Sequence, residues 1–318
     1  MKASIIIPLK AVNDYLREAL PYHAALEGGP YEIMVLPDEA LEKEIPAVRV
    51  VPTGPVGPAE KRDIAAQQAS GEFLAFIDDD AYPRKDWLAN ALRHFDDPRV
   101  GAVGGPAVTP PTDSLLQRVS GAVYTSLLGG GPHAYRYLPV GRLREIDDFP
   151  SVNLIVRKKA FEEVGGFDTH FWPGEDTKFC LDLVKKGWKI LYDPDALVWH
   201  HRRSSPLKHL RQVWRYAKHR GHFARRFPET SRRLSYAMPS LLVLFLAGGL
   251  LWADGPAGGL YVLGAGLYGA ALLLSGVHEA VRHRDPGVGL LVIPGIFLTH
   301  VAYGIGFPYG FLRRGLAQ

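Results

Sequence analysis

The stretch Phe73–Pro83, which reads FLAFIDDDAYP, decides how this chain is interpreted. Its first five residues are aromatic or aliphatic, which predicts a buried β-strand. Three consecutive carboxylates follow, Asp78, Asp79 and Asp80. Like charges at a buried strand end repel one another and lose hydration, so they do not stabilise a fold by themselves. A bound Mg²⁺ or Mn²⁺ would compensate, because these ions take oxygen ligands from carboxylates, phosphates and water. The alternative is a solvated acidic turn before a helix that begins near Arg84.

Composition limits the classes of protein to which the chain can belong. It has 318 residues, of which 47% are hydrophobic, and a formal net charge of +4. The single cysteine, Cys180, excludes an internal disulfide framework and a cysteine-based zinc site. The charge is uneven, because residues 202–233 hold eleven Lys or Arg and one acid, Glu229. The chain after this basic stretch is apolar almost to its end.

The N-terminal half alternates predicted strands with predicted helices. Strands are expected at residues 4–8, 31–36, 48–51 and 73–77, and helices at 13–26 and 58–70. This alternation predicts a doubly wound, mostly parallel α/β sheet. Ligands bind such sheets at the carboxyl ends of the strands. The three aspartates lie at such an end, which favours a ligand site over an acidic turn.

Four further residues have side chains suited to chemistry. Arg62 lies on a predicted helix, where its planar fork fits a diphosphate or simply forms part of a solvated face. Glu175 and Asp176 precede a helix predicted at residues 177–186, where a carboxylate either caps the helix or acts as a general base. His200 follows a predicted strand, so its imidazole is either a metal ligand or a structural side chain.

Taken together, these stretches resemble the family 2 inverting glycosyltransferases of GT-A fold. The resemblance covers residues 3–220 and rests on SIIIP, ASGEFLAFIDDDAYP, VGGFD, GEDTKFCLDLVKKGWKI and VWHHRRSS, in that order. It implies a Rossmann-like nucleotide-diphospho-sugar transferase domain of the α/β class, followed here by an all-α membrane region.

The resemblance also implies roles for individual residues. Asp78 and Asp80 would hold Mg²⁺ or Mn²⁺ on the donor diphosphate, with His200 as a further metal ligand. Asp176, next to Glu175, would take the proton of an acceptor hydroxyl. The residues expected to contact the substrates are Pro8, Asp38, Arg62, Asp78, Asp79 and Asn153. Relatives usually carry an aspartate at the end of the second strand, where this chain has Leu36-Pro37 and then Asp38.

The C-terminal part predicts attachment to a membrane. Residues 207–227 interleave apolar and basic side chains at helical spacing, as in helices that lie on anionic membrane surfaces. Binding of nucleic acid is disfavoured, because the apolar segments 236–253 and 258–277 follow, each about the length of a membrane span. A third apolar stretch at 287–312, interrupted by Pro294 and Pro308, either crosses fully or is re-entrant or interfacial, which gives two to three membrane helices. The predicted organisation is a catalytic domain at 1–201, a basic neck at 202–235 and a transmembrane region at 236–318.

The leading functional prediction is therefore a membrane-anchored inverting glycosyltransferase. It would move a sugar from a UDP- or GDP-sugar to a hydroxyl of a lipid-linked or polyprenyl acceptor during cell-envelope glycan synthesis. The basic neck and the absence of a signal peptide place the catalytic domain on the cytoplasmic side of the inner membrane. A polyprenyl-phosphate sugar synthase, whose nucleophile is the lipid phosphate, and a non-catalytic membrane scaffold are the alternatives.

Overall fold

The computed structural model describes residues 2–249, 251, 255–256, 258–313 and 315. In chain order the strands are β1 Ala3–Pro8, β2 Tyr31–Leu36, β3 Arg49–Val50, β4 Phe73–Ile77, β5 Ala81–Pro83, β6 Val100–Gly104, β7 Ala107–Val108, β8 Arg144–Ile146, β9 Asn153–Arg157, β10 Lys189–Tyr192 and β11 Val198–His200. The helices are α1 Asp14–Ala24, α2 Pro58–Gln68, α3 Trp87–Leu92, α4 Leu115–Thr125, α5 Leu127–Gly130, α6 Lys158–Val164, α7 Glu175–Lys185, α8 Pro206–Arg226, α9 Pro228–Ser231, α10 Leu234–Gly249, α11 Gly258–His283 and α12 Pro286–Leu312.

The chain folds as two compact units. The first consists of Met1–Val108 and Leu138–His201, and the second of Thr109–Tyr137 and Arg202–Gln318. The predicted organisation had assigned residues 109–137 to the catalytic domain, because nothing in their sequence marks them off from the strands on either side. In the structure these residues, which form α4 and α5, belong instead to the unit that contains the C-terminal helices.

The first unit is built on a mixed sheet with the strand order β3-β2-β1-β4-β9-β6-β10-β8. The pairs β2–β3, β1–β2, β1–β4 and β6–β10 are parallel, as predicted. However, β9 runs antiparallel to both of its neighbours, β4 and β6, and β8 runs antiparallel to β10. Six of the eight strands therefore run in one direction, and only β8 and β9 oppose them. The α/β class and the mostly parallel sheet are confirmed, whereas the reversed strand β9 inside the sheet was not predicted. The apolar pattern of a buried strand does not indicate its direction.

Burial explains why the central strands form where they do. All residues of β1 and β4 are buried, so their apolar runs alternate between two covered faces of the sheet. Trp87 of α3 is among the largest side chains that are fully buried in this core. The first helix starts where predicted, since the side chain of Asn13 accepts a hydrogen bond from Leu16 N at 2.8 Å.

A second, smaller sheet has the strand order β5-β11-β7. Strand β5 follows directly after the three aspartates and pairs antiparallel with β11, so that Ala81 lies opposite His200. The backbone N–H of His201 also donates to Asp80 O at 2.9 Å. This pairing brings the histidine next to the aspartates, although about 120 residues separate them in the sequence.

The second unit is helical, and its longest elements are α8, α11 and α12. Ser205 caps α8 by accepting from Lys208 N, and Pro206 occupies the first turn of the helix. The backbones of α8 and α12 come into direct contact. A Cβ atom on Gly221 of α8 would lie 1.9 Å from Phe307 O, and one on Gly310 of α12 would lie 1.9 Å from Lys218 O.

Among the described residues, two helices are long and apolar enough to cross a membrane. They are α11 with 26 residues and α12 with 27, whose mean hydropathies are 1.8 and 1.9. The predicted third segment is one continuous helix even though it contains Pro294 and Pro308. Within the predicted first segment, α10 is a shorter apolar helix of 16 residues. Leu250, Trp252 and Ala253 of that segment lie outside the described residues.

Candidate active site

Asp78, Asp80 and His200 form a cluster of potential metal ligands in the first unit. One ligand atom from each lies within 4.8 Å of the others, and all three residues are half-buried. The Nε2 atom of His200 is 3.0 Å from Asp80 Oδ1. Two carboxylates and an imidazole form a donor set that suits Mn²⁺, and carboxylate oxygens also suit Mg²⁺. The predicted ligands are thus brought together, and their chemistry fits the predicted ions.

Asp79 lies between the two aspartates of this cluster but has a different partner. It accepts a hydrogen bond from the side-chain amide of Asn13, the residue that caps α1. Partial burial, followed by the charge of Asp80, raises the pKa of Asp79 to about 6. Asp79 is therefore held against the first helix, and its predicted contact with the substrate stays a prediction.

Arg62 links the aspartates to the start of α7. Its Nη2 atom is 2.6 Å from Asp78 Oδ1, and its Nη1 atom is 3.6 Å from Glu175 Oε1. The arginine side chain is only 4% exposed, so the alternative of a solvated helix face is wrong. Arg62 faces two carboxylates in this structure, and its predicted binding to a diphosphate stays a prediction.

Asp176 is oriented by a residue that the sequence analysis did not single out. Its Oδ2 accepts from the backbone N of Ser151 at 3.1 Å, and its Oδ1 accepts from Ser151 Oγ at 3.0 Å. These two bonds fix the direction of the carboxylate of this half-buried residue. Ser151 lies 25 residues before Asp176, and no motif connects them in the sequence.

Glu175 and Asp176 are adjacent at the first turn of α7, but their environments differ. Burial, and then the charge of Asp176, raises the pKa of Glu175 to about 8, so this side chain keeps its proton at neutral pH. Burial also raises the pKa of Asp176, while Arg62 and the two bonds from Ser151 favour its ionised form. Of the two carboxyl groups, Asp176 is the one whose ionised form receives two hydrogen bonds from Ser151.

The helix before this site also positions the loop that leads into α7. Asp63, next to Arg62 on α2, accepts a hydrogen bond from Phe167 N at 2.9 Å. Gly166 has a φ of +79°, and a Cβ atom there would lie 2.7 Å from Asp63 Oδ1. Burial raises the pKa of Asp63 to about 6, although the bond from Phe167 N partly counteracts this shift.

Asp38, which was expected to replace the aspartate of relatives at the end of the second strand, is paired with a buried lysine. Lys61 Nζ lies 2.7 Å from Asp38 Oδ1 and donates to Thr53 Oγ1 at 2.6 Å. The same ammonium donates to Leu36 O and Gly54 O, each at 3.2 Å. Lys61 thus ties the end of β2 to the loop before α2. Nothing in the sequence marks this lysine as buried, because a lysine on a helix is usually exposed.

The structure gives Asn153 and Pro8 positions inside the core. The amide group of Asn153 donates to Gly105 O at 2.7 Å and to Ala196 O at 2.8 Å, and its oxygen accepts from Trp87 Nε1 at 2.7 Å. Asn153 is fully buried, and Pro8 is buried at the end of β1. These contacts make Asn153 a link among the loops at the strand ends and leave it no surface for a substrate.

A Rossmann-like α/β sheet with a carboxylate–imidazole cluster and an oriented carboxylate at its edge defines a glycosyltransferase of the GT-A class. A mannosyltransferase from Pyrobaculum calidifontis, solved with GDP-Man and Mn²⁺, matches this fold with a TM-score of 0.56 and 20% identity. The match covers 98% of this chain and 86% of that one. The chain belongs to the glycosyl transferase family group 2, whose sequence model matches residues 73–279.

Two curated relatives differ in how much of the chain they match. A pre-mycofactocin glycosyltransferase of Mycobacterium tuberculosis is 34% identical over 149 residues, which are 46% of this chain and 31% of that protein. The chain therefore spans less than a third of that relative. The dolichyl N-acetyl-alpha-D-glucosaminyl phosphate 3-beta-D-2,3-diacetamido-2,3-dideoxy-beta-D-glucuronosyltransferase of Methanococcus voltae is 23% identical, over 98% of this chain and 97% of that protein.

Proposed function

We propose that this glycosyltransferase is membrane-anchored and inverting, and that it transfers a sugar from a nucleotide-sugar donor to a hydroxyl of a lipid-linked acceptor. The observation that carries the proposal is that Ser151 orients Asp176 beside Glu175, and that Arg62 links Glu175 to Asp78 of the metal-ligand cluster. A positioned carboxylate is needed to deprotonate a hydroxyl, whereas a phosphate nucleophile is already ionised.

In the proposed reaction the acceptor hydroxyl attacks the anomeric carbon from the face opposite the departing diphosphate. Asp176 accepts the hydroxyl proton while the new carbon–oxygen bond forms and the bond to the diphosphate breaks, which inverts the configuration. Ser151 keeps the carboxylate aimed during this transfer, and Arg62 holds Asp78 and the start of α7 in place.

The metal site has one role in the proposed reaction. Asp78, Asp80 and His200 would hold Mg²⁺ or Mn²⁺, which as a Lewis acid stabilises the charge that develops on the leaving diphosphate. The Pyrobaculum enzyme was solved with Mn²⁺ and GDP-Man, which supports a nucleotide-sugar donor with a diphosphate for this chain as well.

The acceptor class and the location are part of the same proposal. The relative from Methanococcus voltae carries the name of a dolichyl-linked substrate, which supports a lipid-linked acceptor for this chain. The apolar helices α11 and α12 would cross the inner membrane. The eleven basic residues at 202–233 favour a cytoplasmic side for the neck, and with it for the catalytic unit, in keeping with a role in cell-envelope glycan synthesis.

The test is a panel of nucleotide sugars given to the purified full-length protein in detergent with Mn²⁺ and a native lipid extract. We expect one donor to release nucleotide diphosphate only when the lipid is present, together with a lipid product heavier by one sugar. Release by mild acid of the new sugar joined to the acceptor sugar would support transfer to a hydroxyl, and release of the new sugar alone would support the polyprenyl-phosphate synthase. No turnover of any donor by a folded protein would leave the non-catalytic scaffold.

A further inference from the structure

The second unit is far more basic than the chain as a whole. It contains seventeen Lys or Arg residues against five Asp or Glu, while the whole chain has a net charge of only +4. Most of these cations belong to α8 and to the residues that flank it. Such an excess within one folded unit favours an anionic ligand or surface.

Part of this charge lies against aromatic rings. Tyr124 of α4 and Tyr137 are stacked with their ring centroids 4.9 Å apart. The guanidinium carbon of Arg202 is 5.0 Å from the centre of the Tyr137 ring and 6.0 Å from that of Tyr124. Arg202 also donates from Nε to Thr109 Oγ1 at 3.1 Å, which fixes its position beside the two tyrosines.

Tyr303 of α12 extends this group of side chains. Arg136, Arg220 and Tyr137 are all close enough to act electrostatically on its hydroxyl. Arg220 of α8 lies in turn with its guanidinium carbon 5.0 Å from the centre of the Tyr236 ring. We call the set of these side chains the tyrosine–arginine cluster, which consists of Tyr124, Tyr137, Tyr303, Arg136, Arg202 and Arg220.

Two hydroxyl groups of the tyrosine–arginine cluster have no hydrogen-bond partner in the described part of the chain. They are the Oη atoms of Tyr124 and Tyr303, and both are shielded from solvent. Burying a hydroxyl group without a partner is unfavourable. Both hydroxyls lie within electrostatic range of Tyr137 and of two arginines each, and the packing of the unit's described residues gives neither of them a partner. Hydroxyl and guanidinium groups both donate hydrogen bonds to phosphate oxygens. The two tyrosine hydroxyls and the arginines of the cluster therefore suit a phosphate group.

We propose that the tyrosine–arginine cluster binds the phosphate or diphosphate group of the lipid carrier to which the acceptor is attached. This inference rests on the proposed function for the identity of the carrier. The surroundings favour a lipid over a free anion, because Tyr303 lies on α12, one of the two helices apolar enough to span a membrane. Arg220 lies on the basic helix α8, whose backbone is in contact with α12.

The experiment measures binding to the full-length protein in detergent, without a sugar donor and with EDTA. The chelator removes metal-dependent binding of diphosphate at Asp78, Asp80 and His200. The three probes are farnesyl diphosphate, inorganic diphosphate and farnesol, each titrated by calorimetry. We expect farnesyl diphosphate to bind more tightly than either of the other two. Equal affinity for inorganic diphosphate would assign the cluster to the free anion and overturn the lipid part of the proposal.

The variants Tyr303→Phe and Tyr124→Phe remove one hydroxyl each and leave the ring in place. We expect each to weaken binding of farnesyl diphosphate about tenfold or more, since a hydrogen bond to a charged group is lost. The unfolding temperature should stay the same or rise, because an unpartnered hydroxyl is removed. Tyr22→Phe, at an exposed tyrosine of the first unit, is the matched control and should bind as the wild type does.

Two results would overturn the proposal. One is unchanged affinity in both cluster variants. The other is a loss of affinity accompanied by a lower unfolding temperature, because the hydroxyls would then be structural. Both measurements are independent of catalysis. If the protein turns over a donor but does not bind farnesyl diphosphate as expected, the proposed function stands and the lipid site is wrong. If it binds as expected but turns over no donor, the lipid site stands and the proposed function is wrong.

Discussion

Replacing Asp176 by Asn removes the proposed base and leaves the geometry around it nearly unchanged. The amide oxygen of asparagine can accept from Ser151 N as the carboxylate does at 3.1 Å, and its NH₂ group can donate to Ser151 Oγ, now 3.0 Å from Oδ1. The free energy of unfolding should therefore change by no more than about 1 kcal/mol. The amide cannot take a proton, so the rate of sugar transfer should fall about 100- to 10,000-fold. That loss corresponds to about 3 to 5 kcal/mol in the activation barrier.

The assay is single-turnover transfer with saturating donor and lipid acceptor, followed by the release of nucleotide diphosphate. Asp182→Asn is the matched control, because this aspartate lies on the same helix and forms an ion pair with Lys178 at 2.5 Å and 28% side-chain exposure. Such a pair contributes about 0.3 to 0.5 kcal/mol, and the control should keep its activity. If folded Asp176→Asn transfers sugar within threefold of the wild type, the assignment of Asp176 as the base is wrong.

Three further predictions concern the metal cluster, the buried lysine and the loop before α7. Asp80→Ala should abolish metal-dependent binding of the donor, measured by titration with and without Mn²⁺, because one of the three clustered ligands is lost. Lys61→Met should lower the free energy of unfolding by about 2 to 4 kcal/mol in urea melts, since Asp38 is left without its buried partner. Because the pKa of Asp63 is about 6 when folded and 3.8 when unperturbed, the folded state holds its proton more tightly. Wild-type stability should therefore fall relative to Asp63→Asn as pH rises from about 4 to about 6, then level off.

Each of these predictions has an outcome that contradicts it. Donor binding by Asp80→Ala that still responds to Mn²⁺ would remove Asp80 from the metal site. For the lysine, Lys159→Met is the control, since that side chain is 74% exposed and should tolerate the change. An equal decrease in the free energy of unfolding in the two lysine variants would mean that the buried ion pair does not contribute to stability. Parallel pH profiles for the wild type and Asp63→Asn would show that the fold does not perturb Asp63.

The sequence predicted best those features that depend on residues close together in the chain. The run of apolar residues before Asp78 predicted β4, and the acids after it predicted a ligand site, because both signals are contained in eleven consecutive residues. The start of α7 was predicted to within two residues, at 177 where the structure has Glu175, since acidic residues are typical of a helix N-terminus. His200 was predicted as a ligand, but its approach to Asp80 depends on the pairing of β5 with β11.

The features that were missed depend on contacts between distant parts of the chain. The antiparallel direction of β9 follows from the path of the chain between the strands, and a buried apolar run is the same in either direction. Ser151 is one of many serines, and only the fold brings it under Asp176. The sequence alone predicts that Lys61 is exposed. Its burial depends on the carboxylate of Asp38 and the carbonyl oxygen of Leu36, which the fold places next to its ammonium group.

The glycine contacts between α8 and α12 have a practical consequence for anyone who wants a water-soluble form of this enzyme. Truncating the chain before Pro286 is the obvious way to eliminate an apolar segment. It would also remove from α8 the surface against which Gly221 packs at backbone distance, and it would expose Ala217, which is buried next to Gly306 of α12 in the intact chain. A shortened protein should therefore aggregate through α8. A soluble variant is better sought by exchanging the exposed leucines of α11, such as Leu260, Leu267 and Leu274, for polar residues.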